Sequence, residues 1–281
     1  MSERKVVRKV RGRPAVDGAG VHLVRVLGPD TMYDFDPFLM LDSFDSRNPD
    51  DYIAGFPMHP HRGIETVTYL MSGEIDHEDS LGNKGKIMGG QSQWMTAGSG
   101  ILHQEMPKPA GRMLGVQLWI NLPKKDKMTD PKYFDIKGDM IGEMVTDAAD
   151  VKVISGEYEG VRGAKPHHIQ ATYYDVLLKK GSTIKIDTKP SENVFVFLVE
   201  GDAVIGGETI PEKTAVLFGK GDHISVASAK DGPSRFIFLS GEPVNESIAW
   251  GGPIVMNTDE ELRHAFSELQ RGTFIKHNAS K

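Results

Sequence analysis

Four side chains with metal-binding chemistry occur as two closely spaced pairs in the first half of the chain. One residue separates His59 from His61, and one residue separates His103 from Glu105. In an extended strand this spacing points both members of a pair to the same face. Two such strands facing each other would bring three imidazoles and one carboxylate to a single divalent ion. The spacing therefore predicts a metal site formed by His59, His61, His103 and Glu105.

The rest of the composition restricts the ligands of that site to nitrogen and oxygen atoms. The chain has no cysteine, which excludes disulfides, thiolate catalysis, iron–sulfur clusters and cysteine zinc sites. Three neutral imidazoles and a carboxylate suit Fe, Mn, Cu, Ni, Co or Zn, and the residue types alone do not choose among these metals. Glu65 is either a fifth ligand or a hydrogen-bond partner of a ligand imidazole. We favour the second role because Glu105 already supplies a carboxylate.

The other histidines have no ligand partner at a comparable spacing, and we interpret them as structural or surface residues. They are His22, His77, His167, His168, His223, His264 and His277, of which His77 is expected in a turn. The chain also lacks a Gly-x-Ser-x-Gly elbow, a P-loop and a dinucleotide fingerprint. These absences leave the predicted metal site as the main source of chemistry.

The elements that would position the site read as short strands in two similar halves. Residues 193–201 repeat the pattern of residues 65–73, and residues 218–221 repeat that of residues 97–100. We therefore predict a duplicated all-β unit, with a metal-binding domain over residues 1–138 and a second domain over residues 139–281. A capping box and an apolar stripe predict one helix, which begins after Thr258, ends near Gly272 and is assigned to the second domain.

The same alignment predicts that the second domain holds no metal. It sets Asp187 and Lys189 against the first histidine pair, and Ile224 and Val226 against the second pair. A lysine and two aliphatic side chains cannot hold the ion that three imidazoles hold.

Charge and hydropathy limit the partners and the location of the protein. The 33 basic and 39 acidic residues give a net charge of −6, which does not favour direct binding of nucleic acid. No apolar run is long enough for a membrane helix. The basic N-terminal residues alternate with valines, which favours an edge strand over a transit peptide. We therefore expect a soluble intracellular protein that is cytoplasmic, with the nucleus open if the source is eukaryotic.

The residues around the predicted ligands resemble the double motif of cupin barrels. The first half of that motif matches Gly55, His59, His61, Glu65 and Gly73, and the second half matches Gly90, Gly98, Gly100 and His103. Longer runs, over residues 36–42, 59–70, 93–106, 114–122 and 253–257, resemble the pirin family. The resemblance implies an all-β bicupin of two tandem cupin-type β-barrels with a short C-terminal α-helix. It also implies one Fe(2+) per chain, held in the N-terminal barrel by His59, His61, His103 and Glu105.

The resemblance implies two functions of different class. One is a quercetin 2,3-dioxygenase-type oxidoreductase, which would cleave a flavonol ring with dioxygen and release carbon monoxide. In that reading the metal binds the 3-hydroxyl and 4-carbonyl oxygens of the flavonol, and Glu105 is the base that takes the hydroxyl proton. The other is a non-enzymatic, redox-sensing co-regulator that binds a protein partner, such as a transcription complex or a metabolic enzyme. The residues alone do not separate the two functions, because one site could serve both, and we expect the dioxygenase activity.

Overall fold

A computed structural model describes residues 2–230 and 232–277 of the chain. The contacts divide the chain into two compact units. The first unit comprises Pro14–Asp30, Phe38–Ile136 and Val244–Lys281, and the second comprises Met1–Arg13, Thr31–Pro37 and Lys137–Pro243. Each unit is built almost entirely from short strands, as the scattered glycines and prolines predict.

The strands and the helix are numbered here in chain order. The strands of the first part of the chain are β1 (Val6–Arg11), β2 (Arg13–Asp17), β3 (Val21–Leu27), β4 (Phe38–Ser46), β5 (Phe56–His61), β6 (Ile64–Ser72), β7 (Glu74–Asp79), β8 (Lys84–Met88), β9 (Ser92–Thr96), β10 (Ile101–Pro107), β11 (Met113–Asn121) and β12 (Lys132–Ile136). They are followed by β13 (Gly142–Val145), β14 (Ala149–Ser155), β15 (Glu157–Tyr158), β16 (Val161–Arg162), β17 (Thr172–Leu178), β18 (Thr183–Asp187), β19 (Asn193–Glu200), β20 (Ala203–Ile205), β21 (Glu208–Ile210), β22 (Thr214–Phe218), β23 (His223–Ser228), β24 (Ser234–Gly241), β25 (Ala249–Gly251), β26 (Ile254–Met256) and the helix α1 (Asp259–Arg271). Three short 3-10 helices span Pro49–Asp51, Lys124–Asp126 and Gly138–Met140.

The first unit contains a seven-stranded and a four-stranded sheet. The larger sheet has the order β12-β9-β6-β11-β4-β3-β2, and the smaller sheet has the order β5-β10-β7-β8. Apolar side chains from both sheets share one core, including Leu23 and Phe44 from the larger sheet and Ile75 and Ile87 from the smaller one. The strand β5 lies at an edge, where Pro60 leaves no backbone N–H unpaired within the sheet.

The second unit repeats this arrangement with different side chains. Its seven-stranded sheet has the order β1-β22-β19-β24-β17-β14-β13, and its four-stranded sheet has the order β18-β23-β20-β21. The two sheets enclose a core in which Val196 and Phe236 of the larger sheet join Ile186 and Ile224 of the smaller sheet. The predicted duplication of an all-β unit is therefore present in the fold.

Both ends of the chain belong to the unit built mainly from the other half of the sequence. The basic strand β1 pairs with β22 at an edge of the second unit's larger sheet, so the N-terminus is the edge strand that its pattern predicts. The helix packs on the β25–β26 hairpin in the first unit, where Met256, Ala265 and Phe274 share a core. The predicted division at residue 138 assigns the N-terminal strand to the first domain and the helix to the second, whereas the contacts group them the other way round. The apolar stripe of the helix predicts burial without specifying which core buries it.

The helix α1 has the termini that its sequence predicts. Thr258 accepts a hydrogen bond from the backbone N–H of Glu261, whose side chain returns to the N-cap backbone. Gly272 ends the helix in the left-handed conformation. Within the described residues, no helix is long and apolar enough to span a membrane.

A buried ion pair joins this helix to the loop that follows β5. The guanidinium Nη1 of Arg62 lies 2.6 Å from Glu268 Oε2, and the two side chains are 1% and 10% exposed. Arg62 also donates to the backbone oxygens of Ser99 and Phe274. Burial acts to raise the pKa of Glu268, but hydrogen bonds from Lys276 and Arg62 outweigh it and lower this pKa to about 2. The pair fixes the C-terminal segment beside the residue that follows His61.

Replacing Glu268 by Ala should destabilise the first unit by about 3–5 kcal/mol, because Arg62 would keep its charge in a buried place without a counter-charge. Urea unfolding followed by tryptophan fluorescence measures this, since Trp94, Trp119 and Trp250 all belong to the first unit. The control is Gln270→Ala, an exposed change on the same helix. It should stay within about 0.5 kcal/mol of wild type. Equal losses for the two variants would contradict the importance of the pair.

Candidate metal centre

Strand pairing brings the three predicted histidines to one face of the smaller sheet in the first unit. His103 on β10 lies directly opposite His59 on β5, and Ile101 lies opposite His61. Burial alternates along β10, so that His103 and Glu105 are both enclosed while Gln104 between them is partly exposed. The two-residue spacing therefore acts as predicted, with each pair of side chains on one face of its strand.

The potential ligand nitrogens of the three histidines lie within 4.8 Å of one another. The Nε2 atoms of His59 and His61 are 3.1 Å apart. Bonds of about 2.1 Å from one ion to two nitrogens at right angles would separate those nitrogens by about 3.0 Å. His61 and His103 are buried, and His59 is partly exposed. The arrangement has the dimensions of a site for one metal ion.

Hydrogen bonds on the far side of each ring assign the histidine tautomers. The Nδ1 atoms of His59 and His61 lie 2.9 Å and 3.1 Å from the carbonyl oxygens of Pro57 and Pro253. A carbonyl only accepts, so both Nδ1 atoms carry the proton and both Nε2 atoms are left with a lone pair. Two lone pairs facing each other repel unless a cation lies between them. This orientation fits a metal better than it fits a hydrogen bond between the two rings.

The ring of His103 can also donate from Nδ1 and leave Nε2 free to bind a metal. The Nδ1 atom of His103 lies 3.3 Å from the hydroxyl oxygen of Tyr133. The Nε2 atom of His103 is buried and has no hydrogen-bond partner among the described residues. An unsatisfied buried nitrogen is costly, and a metal ion would satisfy it. We therefore assign the proton of this ring to Nδ1, with Tyr133 as its acceptor.

The surroundings keep His61 and His103 in the neutral form that a metal requires. Burial, reinforced by the nearby His59, lowers the pKa of His61 to about 3. Burial, reinforced by His61, holds the pKa of His103 well below its usual 6.5. Without metal, unfolding takes up protons at these rings once the pH falls below about 6.5. The unfolded chain then binds more protons at these rings than the folded chain does, so the free energy of unfolding decreases as the pH falls further.

The carboxylate of Glu105 lies outside the histidine group in this structure. It is 2% exposed. One carboxylate oxygen accepts from Thr68 Oγ1 at 2.9 Å, and the other accepts from Gln117 Nε2 at 2.6 Å. The strand pairing of β5 with β10 is irregular between His103 and Glu105, which sets Glu105 opposite Phe56. The role of Glu105 as a fourth ligand thus stays a prediction.

Glu65 is buried on β6 and contacts a threonine. Its Oε1 atom accepts a hydrogen bond of 2.8 Å from Thr96 Oγ1 on the neighbouring strand β9. This places an acidic group in the wall of the first unit without placing it in the group of three histidines. Its predicted contact with a ligand imidazole remains a prediction.

Sequence reasoning missed two residues that support His103. The prediction that His77 lies in a turn is wrong, because it lies on β7 opposite Glu105 and is 5% exposed. Its ring stacks on Tyr133 at 5.2 Å with an interplanar angle of 14°. Burial, with Glu105 nearby, raises the pKa of Tyr133, so its hydroxyl stays neutral and can accept from His103. No spacing rule links His77 or Tyr133 to the histidine pairs.

The corresponding strands of the second unit carry an apolar core. Ile186 lies opposite Ile224 and Ile184 lies opposite Val226, and all four side chains are buried. Asp187, which the sequence alignment set against His59, is exposed and paired with Lys185. The inward positions thus belong to the isoleucines, and in the described residues the group able to hold a metal is His59, His61 and His103.

Comparison with known proteins identifies the family. The Pirin family model matches residues 20–120, and the model of the Pirin C-terminal cupin domain matches residues 173–275. The chain belongs to the pirin family. A pirin-like protein of Caulobacter vibrioides is 43% identical over 98% of this chain and 100% of its own length. The predicted fold class, two cupin-type β domains with one C-terminal helix, is confirmed.

Two further relatives carry a functional name. A Pseudomonas aeruginosa protein named as a candidate quercetin 2,3-dioxygenase is 40% identical over 96% of this chain and 97% of its own length. The crystal structure of a quercetin 2,3-dioxygenase from Acinetobacter baumannii matches with a TM-score of 0.89 at 32% identity. That match covers 97% of this chain and 99% of the other.

Metal-loaded protein should contain about one divalent ion per chain, and His103→Ala should lose it, because the change removes one of three converging imidazoles. Metal analysis after gel filtration measures the ratio. The control is His223→Ala, which changes a histidine on β23 of the second unit. That variant should keep its ion. Two ions per chain in the wild type, or metal loss from the control, would contradict a single site in the first unit.

Tyr133→Phe should weaken metal binding by about 10- to 100-fold, the usual effect of removing a hydrogen-bond partner of a ligand. The phenylalanine keeps the ring that stacks on His77 and removes only the acceptor for His103. Competition with a chelator gives the affinity. Tyr33→Phe, which removes the hydroxyl of an exposed tyrosine, is the control. Unchanged affinity in Tyr133→Phe would show that His103 does not depend on this hydroxyl.

Proposed function

We propose that the first unit binds one Fe(2+) through His59, His61 and His103, with Glu105 as the fourth ligand, and cleaves flavonols with dioxygen as a quercetin 2,3-dioxygenase does. The observation that carries this proposal is the convergence of the His59, His61 and His103 imidazoles beside a cavity of about 600 Å³. His59 and His61 line that cavity together with Trp119 and Trp250. A planar polyphenol can thus reach the histidines through a cavity that two indole rings help to line.

The histidine rings are arranged to hold their ion without competing protons. Each Nδ1 atom has an acceptor, so each ring is fixed in direction before a metal arrives. The iron would supply Lewis acidity toward the flavonol oxygens and one-electron chemistry toward dioxygen. Three imidazoles and one carboxylate leave room on a six-coordinate ion for both substrates.

Glu105 is the candidate base for the 3-hydroxyl proton of the flavonol. Thr68 and Gln117 each donate a hydrogen bond to its carboxylate, which holds an anionic acceptor close to the cavity wall. Gln117 itself lines the cavity. A carboxylate within reach of the substrate hydroxyl can accept its proton as the metal draws charge from the oxygen.

The names of the relatives support the same reaction class. The Pseudomonas and Acinetobacter proteins both carry a name that refers to quercetin 2,3-dioxygenase, and both match nearly the whole chain.

The direct test is anaerobic purification and iron loading, followed by oxygen uptake with quercetin. We expect carbon monoxide release equal to oxygen uptake. Iron-loaded protein that takes up no oxygen with any flavonol would refute the proposal. Partner binding that differs between ferrous and ferric protein would then favour the co-regulator.

Glu105→Asp should keep most of the iron and lower turnover by about 100-fold. The shorter side chain keeps the negative charge but retracts it, and a displacement of about 1 Å can cost on the order of 10²-fold in rate. Steady-state oxygen uptake at matched iron content gives the ratio. The matched control is Glu78→Asp, which shortens a carboxylate on the neighbouring strand β7. Turnover equal to wild type in Glu105→Asp would exclude Glu105 as the base.

A further inference from the structure

Part of the cavity wall is built by a hairpin near the end of the chain. Trp250 and Pro253 lie on or beside β25 and β26 and line the same cavity as His61. The carbonyl oxygen of Pro253 accepts from His61 Nδ1 at 3.1 Å. One short hairpin therefore orients a metal-ligand candidate and forms part of the surface that a bound molecule would touch.

The position of this hairpin is fixed by close backbone contacts with the loop after β5. The backbone N–H of Val255 donates to the carbonyl oxygen of Arg62 at 3.1 Å. A Cβ atom at Gly63 would lie 1.9 Å from the carbonyl oxygen of Val255, and Gly63 has a φ of +78°. Only glycine permits both this approach and this conformation. The hairpin is therefore held at a defined distance from the histidines.

Two tryptophans form an aromatic corner in the cavity. The Trp119 ring meets the His61 ring edge to face at 4.9 Å and 83°. The Trp250 ring lies 5.9 Å from that of Trp119 at an angle of 34°. Trp119 is nearly buried, whereas Trp250 is partly exposed at the cavity. The indole N–H of Trp250 donates to the carbonyl oxygen of Gly252 at 2.9 Å, which fixes the ring on its own hairpin.

Another part of the cavity lining is polar. Arg25 donates to both carboxylate oxygens of Asp42, at 2.9 Å and 2.7 Å, and to Asp17 at 2.6 Å. All three residues line the cavity. Two carboxylates share one guanidinium, which leaves acceptor capacity for hydroxyl groups and little attraction for an anionic ligand. A ligand that suits both parts has a flat ring face and uncharged hydroxyl groups.

We infer that Trp250 selects planar ring systems by stacking on them, and is thus a specificity-determining residue contributed by the C-terminal hairpin. The inference rests on the proposed function only for the choice of a flavonol as ligand. Stacking requires a ligand whose rings are coplanar. A compound with the same hydroxyl groups and a bent central ring meets the polar part equally well and loses the contact with Trp250.

Quercetin and its 2,3-dihydro derivative provide that comparison, since saturation of one bond removes planarity and leaves each hydroxyl group on its carbon. Saturation also turns the enolic 3-hydroxyl into an alcohol, so the deciding quantity is how Trp250→Leu changes the ratio of the two affinities. Binding is measured by calorimetry on iron-loaded full-length protein without oxygen, so that no turnover occurs. Wild type should bind quercetin more tightly than the dihydro compound. Trp250→Leu should weaken quercetin binding by about 5- to 10-fold, the size of an aromatic contact, and leave the dihydro compound little changed.

Trp250→Phe keeps a flat ring on the hairpin and should restore most of the preference for quercetin. Iron content is measured in each variant, and it should not change, because His61 is oriented by a backbone oxygen. Under turnover conditions, Trp250→Leu should raise KM for quercetin more than it lowers kcat.

The outcomes separate this inference from the proposed function. Loss of the planar preference in Trp250→Leu with recovery in Trp250→Phe supports the role of Trp250, even in a protein that takes up no oxygen. Equal quercetin affinity in wild type and Trp250→Leu would overturn that role, even in an active dioxygenase. Wild type that binds neither compound, or that binds both equally, would overturn it as well.

Discussion

Two imidazole nitrogens that each carry a lone pair face each other across 3.1 Å in the first unit, and the surrounding structure keeps them there. The Pro57 and Pro253 carbonyl groups hold the protons of His59 and His61 on the opposite side of each ring. Burial lowers the pKa of His61 and prevents protonation from relieving the repulsion. A metal ion would relieve this repulsion, and the Nε2 atom of His103 adds a third nitrogen that has no hydrogen-bond partner among the described residues. This arrangement therefore depends on the strands that carry the histidines and on the two carbonyl groups that orient the rings.

The C-terminal segment is needed because an oriented ligand requires an acceptor that its own strand does not supply. His59 finds one two residues away at Pro57, but His61 depends on Pro253, which is distant in sequence. The hairpin that carries Pro253 can stay in place only if it is anchored nearby. The buried Arg62–Glu268 pair and the helix core around Ala265 provide that anchor. The stability of the helix and the direction of one imidazole are therefore physically connected.

The sequence indicated that the three histidines could converge because strand geometry makes the two-residue spacing a local property. His59 and His61 must share a face in any regular strand, and the same holds for His103 and Glu105. The spacing does not report the irregular pairing of β5 with β10, which sets Glu105 opposite Phe56, nor the hydrogen bonds of Glu105 to Thr68 and Gln117. The all-β class and the ends of the helix could be predicted for the same reason, since strand alternation and helix capping involve residues that are close in sequence.

Contacts between distant segments were beyond reach from a single sequence. Nothing in the pattern around Tyr133, His77 or Pro253 distinguishes these residues from ordinary core and loop positions. The apolar stripe of α1 predicted burial and gave no information on which unit would bury it. The alignment of the two halves failed by a shift along β18, where Ile184 and Ile186 occupy the inward positions instead of Asp187. Glycine positions fix turns, but they do not fix the register of the strand between them.

The two units differ in the side chains that take the inward positions of their smaller sheets. In the second unit, Ile184, Ile186, Ile224 and Val226 fill the inward positions and contribute apolar burial to the core. In the first unit, His61 and His103 take such positions, and the desolvation of their ring nitrogens lowers the free energy of unfolding when no ion is bound. A bound ion would offset that cost, because any ligand that binds the native state alone stabilises it. The same scaffold thus carries a packed apolar core in one unit and three converging imidazoles in the other.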